Sequence, residues 1–456
     1  MTVTSDPMAR EALVTRAGEL LAIDRWSRDA LLGLQRTRLR ALLEHAVARS
    51  PYYREALGPD APDRPLESLP TLPKPLLMER FDEIVTDDRL RLAGLEAFLA
   101  EADAGAAYLG EYRVFSTAGS TGIPGVFVYT HAEFAQWIAV SLAALGRLGV
   151  TGETRFVAIG APGALHITRQ MFATMQAGRP GVPRLTVLTP IAETVEALNA
   201  YQPEALLAYA SVAAELADEQ LERRLAIRPR VVICTSEVLT DDAAARIEAA
   251  WGIQPCNAYA CTEAPPTATG SLDHVGMHVW EHAVVLEVVD EAGLPVPQGE
   301  PGAKVLLTNL VNRAQPLIRY EVSDSLVLAD GPDPSGRPWL RIERADGRSD
   351  DVLRLPAPEG GEVRVHPFRL RAPFVRLTDV RQYQVVHRDD GLLVRVVGRP
   401  TAGRDLPERV RGSVEEALRE AGAEPAVRVE LVREIERERG HAAKLKLVVS
   451  EVSRAA

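Results

Sequence analysis

Apolar positions repeat with two different periods along the chain. Between Trp26 and Ser50 they recur every three or four residues, which predicts an amphipathic helix that ends where Ser50 meets Pro51. From about residue 112, short β-branched runs alternate with longer helical segments, as is typical of an α/β layered sheet. Strands are predicted at Val126–Tyr129, Arg155–Ile159 and Arg230–Cys234, and helices at Glu133–Leu148, around Gln170–Met175 and at Asp241–Trp251.

The pattern changes twice in the second half of the chain. Strand-like runs dominate from Val284, so a β-rich part is predicted over about 284–346. A stretch of Gly, Asp, Arg and Ser at 347–351 suits a hinge. Beyond it the chain restarts with strands at Tyr383–His387, Leu392–Val397, Val427–Val432 and Lys444–Val449, and a helix at Leu406–Ala421.

The expected fold class is therefore α/β with two units. A large N-terminal layered α/β domain spans 1–346 and includes the β-rich part. The hinge at 347–351 joins it to a small, mobile α+β C-terminal lid domain at 352–456.

Composition narrows the class of protein. The chain has 456 residues, 46% of them apolar, so a large core is available. A net charge of -11 argues against nucleic acid as the partner. There is no window of about 18 apolar residues and no basic start followed by an apolar block, so neither a membrane span nor a signal peptide is predicted. Three sparse cysteines are typical of a cytoplasmic protein.

One loop carries an unusual density of hydroxyls and glycines. Backbone N–H groups converge easily around glycine, and hydroxyls add donors, so such a loop can cradle phosphate oxygens. Its spacing is not that of the common Gly-x-x-x-x-Gly-Lys-Ser/Thr nucleotide loop. On these residues alone, a plain turn and a phosphate cradle are both open. The candidate residues are Ser116, Thr117, Gly119, Ser120, Thr121 and Gly122.

The run from Ser116 to Pro124 resembles the phosphate loop Thr-Ser-Gly-Ser-Thr-Gly-x-Pro-Lys of the acyl-adenylating enzyme superfamily. Gly125 stands where many members have the lysine, so the loop has no lysine of its own. The resemblance implies that ATP is bound here through backbone N–H groups and hydroxyls.

A second segment, Asn257 to Glu263, resembles the superfamily motif Tyr-Gly-x-Thr-Glu, with Ala260 in place of glycine. The resemblance implies that Tyr259 stacks on adenine, Thr262 contacts phosphate and Glu263 binds Mg²⁺. A carboxylate is a suitable ligand for a hard cation that bridges phosphates.

Two further segments follow in the order of the superfamily. The run Leu317 to Asp324 resembles a motif whose aspartate accepts hydrogen bonds from the ribose hydroxyls, a role implied for Asp324. The run Gly347 to Asp351 resembles the hinge motif Gly-Arg-x-Asp-Asp. It implies that Arg348 reaches ribose or phosphate and that Asp350 is the pivot.

The C-terminal run Gly440 to Lys446 resembles the segment whose lysine enters the active site during adenylation. We favour Lys444, with Lys446 as the alternative. The resemblance also implies that Ser236 and Glu237 lie beside the nucleotide. The remaining implied positions, His166 and Ala258, belong to the substrate pocket.

The resemblance covers most of the chain and is closest to the phenylacetate–CoA ligase branch and its capsule-biosynthesis relatives. The segments that carry this are Leu39–Arg54, Leu69–Lys74 and His278–His282. It implies an AMP-forming ligase of the acid–thiol type. A small carboxylic acid, aromatic by analogy, would attack the α-phosphorus of ATP, and CoA would take the acyl group.

Three alternatives stay open. Another adenylating enzyme of specialised metabolism would form an amide, load a carrier protein, or activate nitrite for N–N bond formation. A non-enzymatic protein of the same fold would only bind nucleotide. A zinc site is a minor alternative for the cluster Cys256, Cys261, His274, His278 and His282. If the protein oligomerises, a homodimer is expected.

Overall fold

The protein is described here from a computed structural model. The structure describes residues 7–103, 105–117, 125–176, 181–348, 352–365, 367–375, 377, 379–438 and 442–452. The predicted hinge pivot Asp350 and the loop residues Gly119, Ser120, Thr121 and Gly122 lie outside these ranges.

Two long helices come first in the chain, and the helices of the described ranges follow in chain order. They are α1 Pro7–Ala22, α2 Arg28–Arg49, α3 Pro51–Leu57, α4 Lys74–Glu79, α5 Phe81–Ile84, α6 Leu92–Glu101, α7 His131–Arg147, α8 Ile167–Gln176, α9 Ile191–Tyr201, α10 Ala210–Leu221, α11 Asp241–Trp251, α12 Ala372–Val375 and α13 Leu406–Glu420. Short 3₁₀ turns lie at Ile23–Arg25, Ala61–Asp63, Leu66–Ser68 and Pro367–Leu370.

Within the described part of the chain the strands form five sheets. They are β1 Tyr112–Ser116, β2 Val126–Thr130, β3 Phe156–Ile159, β4 Ala205–Tyr209, β5 Val231–Thr235, β6 Cys256–Cys261, β7 Ala264–Gly270, β8 Met277–Val279, β9 Val284–Val289, β10 Lys304–Asn309, β11 Tyr320–Val322, β12 Asp324–Leu328, β13 Arg341–Arg348, β14 Leu353–Pro356, β15 Glu362–Val365, β16 Val380–Arg388, β17 Gly391–Gly398, β18 Val427–Leu431 and β19 Val448–Ser450.

The first predicted helix ends where the sequence indicates. The Ser27 hydroxyl caps α2 by accepting from Ala30 N at 3.2 Å. The Ser50 hydroxyl caps α3 by accepting from Tyr53 N at 3.3 Å. Pro51 occupies the first turn of α3, where its missing N–H costs nothing.

An eight-stranded sheet with strand order β12-β13-β8-β7-β6-β5-β4-β3 forms the centre of the large unit and confirms the α/β class. Strands β3 to β6 are parallel, and β6, β7, β8, β13 and β12 pair antiparallel. The β-rich part divides between two sheets. Strands β9 to β11 form their own three-stranded sheet, whereas β12 and β13 extend the large one.

The C-terminal residues have a separate hydrophobic core around a four-stranded sheet of order β18-β17-β16-β19. Helix α13 covers this sheet with its buried apolar face. The strand predicted at Lys444–Val449 is wrong for its first residues, since β19 begins at Val448. Other segments use the backbone hydrogen-bonding groups there: Leu445 N donates to Glu237, and Lys444 O accepts from Glu438 N.

Ion pairs between α10 and the C-terminal unit hold the two units together. The side chain of Asp218 is fully buried and accepts from Arg399 Nη2 at 2.6 Å and from Arg246 Nη1 at 3.2 Å. Glu219 accepts from Arg381 Nη2 at 3.0 Å. Removing one partner of a buried ion pair typically costs about 3–5 kcal/mol, so this contact favours the observed arrangement.

Within the described ranges, no helix has both the length and the apolar character that crossing a bilayer requires.

Candidate functional site

A cavity of about 490 Å³ lies where the carboxyl ends of β5 and β6 face the C-terminal unit. Most of the predicted site residues line it. They are Thr117, His166, Ser236, Glu237, Ala258, Tyr259, Thr262, Glu263, Asp324, Arg348 and Lys444. Ser116 is the last residue of β1, immediately before Thr117.

Three predicted residues from distant segments meet on one wall. Asp324 and Arg348 are direct cross-strand partners in the β12–β13 pair, with Arg348 Nε 3.4 Å from Asp324 Oδ1. The Tyr259 hydroxyl donates to Asp324 Oδ2 at 2.7 Å. Burial raises the pKa of Tyr259, so its hydroxyl is a donor at neutral pH. Strand register thus places a carboxylate, a guanidinium and an aromatic ring together.

Thr262 and Glu263 form the connection between β6 and β7 and are both buried. Their backbone is fixed from both sides: Thr262 O accepts from the Tyr129 hydroxyl at 2.6 Å, and Glu263 O accepts from Asn309 Nδ2 at 2.6 Å. Burial raises the pKa of the Glu263 carboxyl, while the Lys74 ammonium opposes that shift. A carboxylate beside a cavity that can hold phosphates is suited to a divalent cation.

The base of the glycine–hydroxyl loop holds a lysine that sequence reasoning missed. Lys74, the first residue of α4, places its Nζ 3.3 Å from Thr117 Oγ1. Thr117 also closes the loop, because its N donates to Gly125 O at 2.9 Å and its Oγ1 accepts from Gly125 N at 3.1 Å. An ammonium therefore stands at the loop although position 125 is glycine.

Lys74 is held by an edge contact with the three-stranded sheet. Leu72 N donates to Arg319 O at 3.0 Å, and Glu321 N donates to Leu72 O at 3.0 Å. The Thr71 hydroxyl donates to Glu321 Oε1 at 2.7 Å. The run Leu69–Lys74 was a branch signature in the sequence, but nothing in its pattern indicates this contact with the loop.

The C-terminal lysine segment enters the cavity as a loop. Ala443 has a left-handed backbone with φ of 47°, which turns the chain just before Lys444. Burial and the Arg348 guanidinium lower the pKa of Lys444, while Asp324 and Glu237 act in the opposite direction. The alternative, Lys446, pairs with Glu438 at 3.0 Å. Lys444 is therefore the lysine whose charge interacts with the Asp324–Arg348 wall.

Glu237 holds this lysine loop. Its Oε1 accepts from Leu445 N at 2.7 Å and lies 3.3 Å from Arg437 Nη1. Its Oε2 accepts from Ser211 N at 3.0 Å, at the start of α10. Arg437 Nη2 also donates to Ser211 Oγ at 2.9 Å. The Glu237 carboxylate thus joins the two units directly beside Lys444.

Two other predicted positions adopt constrained geometries. Ser236 has a left-handed backbone with φ of 67°, which turns the chain after β5 toward the cavity. His166 lies just before α8, with its Nδ1 2.8 Å from Thr168 Oγ1. That contact fixes the orientation of the imidazole at the cavity wall.

The Cys/His cluster considered for zinc does not assemble as a whole. Cys256 Sγ donates to Ser271 O at 3.6 Å, and Cys261 Sγ lies 3.5 Å from Thr267 Oγ1. The His282 ring packs edge-on against two tryptophans. Of the five residues, only His274 and His278 converge. Cys256 and His282 are buried in different parts of the core, and Cys261 lines the cavity.

Comparison with known proteins finds similar sequences along most of the chain. The sequence model described as "AMP-binding enzyme" matches residues 113–308. The phenylacetate–coenzyme A ligase of Thermus thermophilus is 28% identical over 382 residues, 80% of each chain. That of Escherichia coli is 28% identical over 401 residues, covering 82% of this chain and 84% of the relative.

Solved structures of a 2-hydroxyisobutyryl-CoA ligase share the fold at 20% identity. In the postadenylation state, in complex with 2-HIB-AMP, the TM-score is 0.73 over 92% of this chain and 89% of that one. The open conformation scores 0.58 over 91% and 90%, and the thioesterification state scores 0.56 over 94% and 91%.

The tight packing at Gly125 generates a prediction. A Cβ there would lie 2.8 Å from the Phe127 ring and 3.0 Å from both Lys74 Cε and Thr117 Oγ1. We expect Gly125→Ala to lower the free energy of unfolding by about 1–3 kcal/mol through overpacking. Urea denaturation measures this.

Gly152→Ala is the matched control, since a Cβ at Gly152 meets nothing within 4 Å. Its free energy of unfolding should change by less than about 0.5 kcal/mol. Equal stability of the two variants would contradict the packing described at the base of the loop.

Proposed function

Because the chain belongs to the acyl-adenylating superfamily of AMP-binding enzymes, in its phenylacetate–CoA ligase-like branch, we propose that it activates a small carboxylic acid with ATP and transfers the acyl group to CoA. One observation carries the proposal: cations from three separate segments, Lys74, Arg348 and Lys444, surround the cavity that Glu263 and Asp324 also line. Such an arrangement suits a polyphosphate with a ribose and a divalent cation.

The nucleotide is bound in this proposal by residues already in contact. Tyr259 stacks on adenine, and Asp324 accepts hydrogen bonds from the ribose hydroxyls, with Arg348 beside it. Thr117 and Lys74 meet the outer phosphates. Glu263 would hold Mg²⁺, which supplies positive charge to the phosphate oxygens when bound.

In the first half-reaction a carboxylate oxygen of the acid attacks the α-phosphorus of ATP. The bond from that phosphorus to the bridging oxygen breaks, and pyrophosphate leaves with the electron pair. No covalent bond to the protein is required, so the protein contributes positioning and charge. Lys444, steered by Glu237, neutralises negative charge that builds on the oxygens around the α-phosphorus.

In the second half-reaction the sulfur of CoA attacks the acyl carbon, AMP leaves, and the thiol proton passes to solvent. We propose that the C-terminal unit must first rotate about the hinge, with Asp350 as pivot, to withdraw Lys444. The greater structural likeness to a postadenylation state than to a thioesterification state supports assigning the observed arrangement to adenylation.

The acid itself is proposed by class. Ala210, Ala214 and Ala258 line the cavity with small side chains that leave room for an apolar ring. His166 adds a polar edge beside them. An aromatic carboxylic acid fits this lining, in agreement with the activity named for the curated relatives.

The test is pyrophosphate release with a panel of aryl and short alkyl acids, with and without CoA. We expect pyrophosphate release to depend on the acid, and an acyl-CoA to form only when CoA is present. Absence of ATP consumption with every acid would overturn the proposal. Products formed with amines or carrier protein, but not with CoA, would show that the acyl acceptor is not CoA. Products formed with nitrite would show that the activated acid is not a carboxylic acid.

Lys74 gives a sharper prediction about the nucleotide. Lys74→Gln removes the ammonium at the base of the loop, and a hydrogen bond to a charged group contributes about 1.5–3 kcal/mol. We expect the KM for ATP in acid-dependent ATP–pyrophosphate exchange to rise roughly 10- to 150-fold.

Arg80→Gln is the control for Lys74→Gln, because Arg80 follows α4 but pairs with Glu83 and Glu55 at the surface. It should leave the KM for ATP unchanged. An unchanged KM in Lys74→Gln would remove this residue from the nucleotide site.

Glu237 is predicted to be a positioning residue for Lys444. Glu237→Gln weakens the contacts with Leu445 N and Arg437, so the lysine loop is held less firmly. We expect the adenylation rate to fall roughly 10- to 150-fold. Thioester formation from supplied acyl-adenylate should keep its rate, because the loop is withdrawn in that step.

Glu434→Gln is the matched control, since Glu434 is exposed on the same C-terminal segment. Both half-reactions should proceed normally in it. An equal loss of both half-reactions in Glu237→Gln would identify a purely structural role.

A further inference from the structure

Three potential metal ligands meet on the large sheet outside the cavity, and none of them lines it. Strand β7 runs away from Glu263, and the connection to β8 that follows it carries His274. His278 lies on β8 itself. Asp333 lies in the connection between β12 and β13, and β13 pairs with β8. The strand order therefore brings two separate connections together at this edge.

The three side chains converge on one point and are buried. Asp333 Oδ2 lies 3.2 Å from His274 Nε2 and 2.5 Å from His278 Nε2. The exposed fractions of the side chains are 8% for His274, 0% for His278 and 2% for Asp333. The three ligand atoms lie within 4.8 Å of one another.

The Asp333 carboxylate is oriented by its own loop. Its Oδ1 accepts from Ser335 N at 2.7 Å and from the Ser335 hydroxyl, which turns Oδ2 toward the two imidazoles. A hydrogen-bonded carboxylate of this kind is typical of metal ligands.

The guanidinium groups nearby are paired with other carboxylates. Arg337 contacts Asp273 at 2.7 Å and Asp24 at 3.3 Å. Arg147 contacts the same Asp24 at 2.5 Å. Throughout the ranges that the structure describes, the ion-pair partners of Asp333 are the two histidines. A buried carboxylate is stabilised by positive charge, and Arg147 supplies it to Asp333 only from outside ion-pair distance.

The His274 ring is in the tautomer that a metal requires. Its Nδ1 lies 2.9 Å from Val275 O, and because a carbonyl only accepts, Nδ1 carries the hydrogen. In the singly protonated form of the ring, Nε2 presents a lone pair to the carboxylate oxygen of Asp333. Two acceptors at this distance repel each other, and Nε2 is buried with no hydrogen-bond partner within the described part of the chain. A cation between them removes the conflict.

We propose that His274, His278 and Asp333 bind one Zn²⁺ ion. Two imidazoles and a carboxylate are a donor set that zinc accepts, with water as the fourth ligand. Ligand atoms around a tetrahedral zinc lie about 3.3 Å apart, so the His278–Asp333 pair need open by less than about 1 Å. The site joins the β7–β8 and β12–β13 connections, and none of its three ligands lines the cavity, so its role is structural.

The first measurement is the metal content of the purified full-length chain by inductively coupled plasma mass spectrometry. We expect one zinc per chain in the unmodified protein and loss of that zinc in His274→Ala and Asp333→Asn. His131 is half-buried and its ring contacts Gly110 O, so His131→Ala is the matched control and should keep its zinc.

The second measurement is made on the unmodified protein, so its main result does not depend on folding of the variants. Unmodified protein is stripped with a chelator, and its thermal unfolding midpoint is recorded with and without added Zn²⁺. We expect Zn²⁺ to raise the midpoint of this protein, because a ligand that binds only the folded state stabilises it. The midpoint of Asp333→Asn should not respond.

Zinc content far below one per chain together with an unchanged midpoint would overturn the proposal. Turnover is not part of either readout, so failure of the zinc site and failure of the proposed ligase activity are distinguishable.

Discussion

The Glu237 carboxylate is the contact on which the geometry of the cavity depends. It lies after β5, in the large unit, yet it binds the backbone of Leu445 and the side chain of Arg437 from the C-terminal unit. The same group accepts from Ser211 N at the start of α10. One side chain thereby fixes a helix of one unit against the loop that carries Lys444.

The cavity is lined by several positive side chains, although the chain as a whole is acidic. The protein as a whole carries a net charge of -11, but Lys74, Arg348 and Lys444 line the cavity, and Arg437 pairs with its lining residue Glu237. These cations come from three regions of the sequence and are partly balanced by carboxylates. A site of this composition holds polyanions by local geometry, whatever the net charge of the surface.

Local sequence patterns predicted many of the helices, strands and site residues, because each of these features depends on a short stretch of the chain. The α2 helix and the β–α alternation follow from periodicity, and two short motifs implied separate roles for Asp324 and Arg348, but not their cross-strand contact. Contacts between distant segments were not predictable. Nothing in the chain near Lys74 indicates that it reaches Thr117, and Asp333 stands 55 positions after His278. The lysine segment was predicted as a strand. Its backbone groups instead form hydrogen bonds with Glu237 and Glu438.

The central claim is that a substrate carboxylate attacks the α-phosphorus of ATP in this cavity. The most direct measurement uses an acid labelled with oxygen-18 in its carboxylate, incubated with the enzyme, ATP and CoA, followed by mass spectrometry of the nucleotide product. The mechanism predicts AMP that carries one oxygen-18 atom from the acid. Unlabelled AMP, or label found in inorganic phosphate beside ADP, would contradict it.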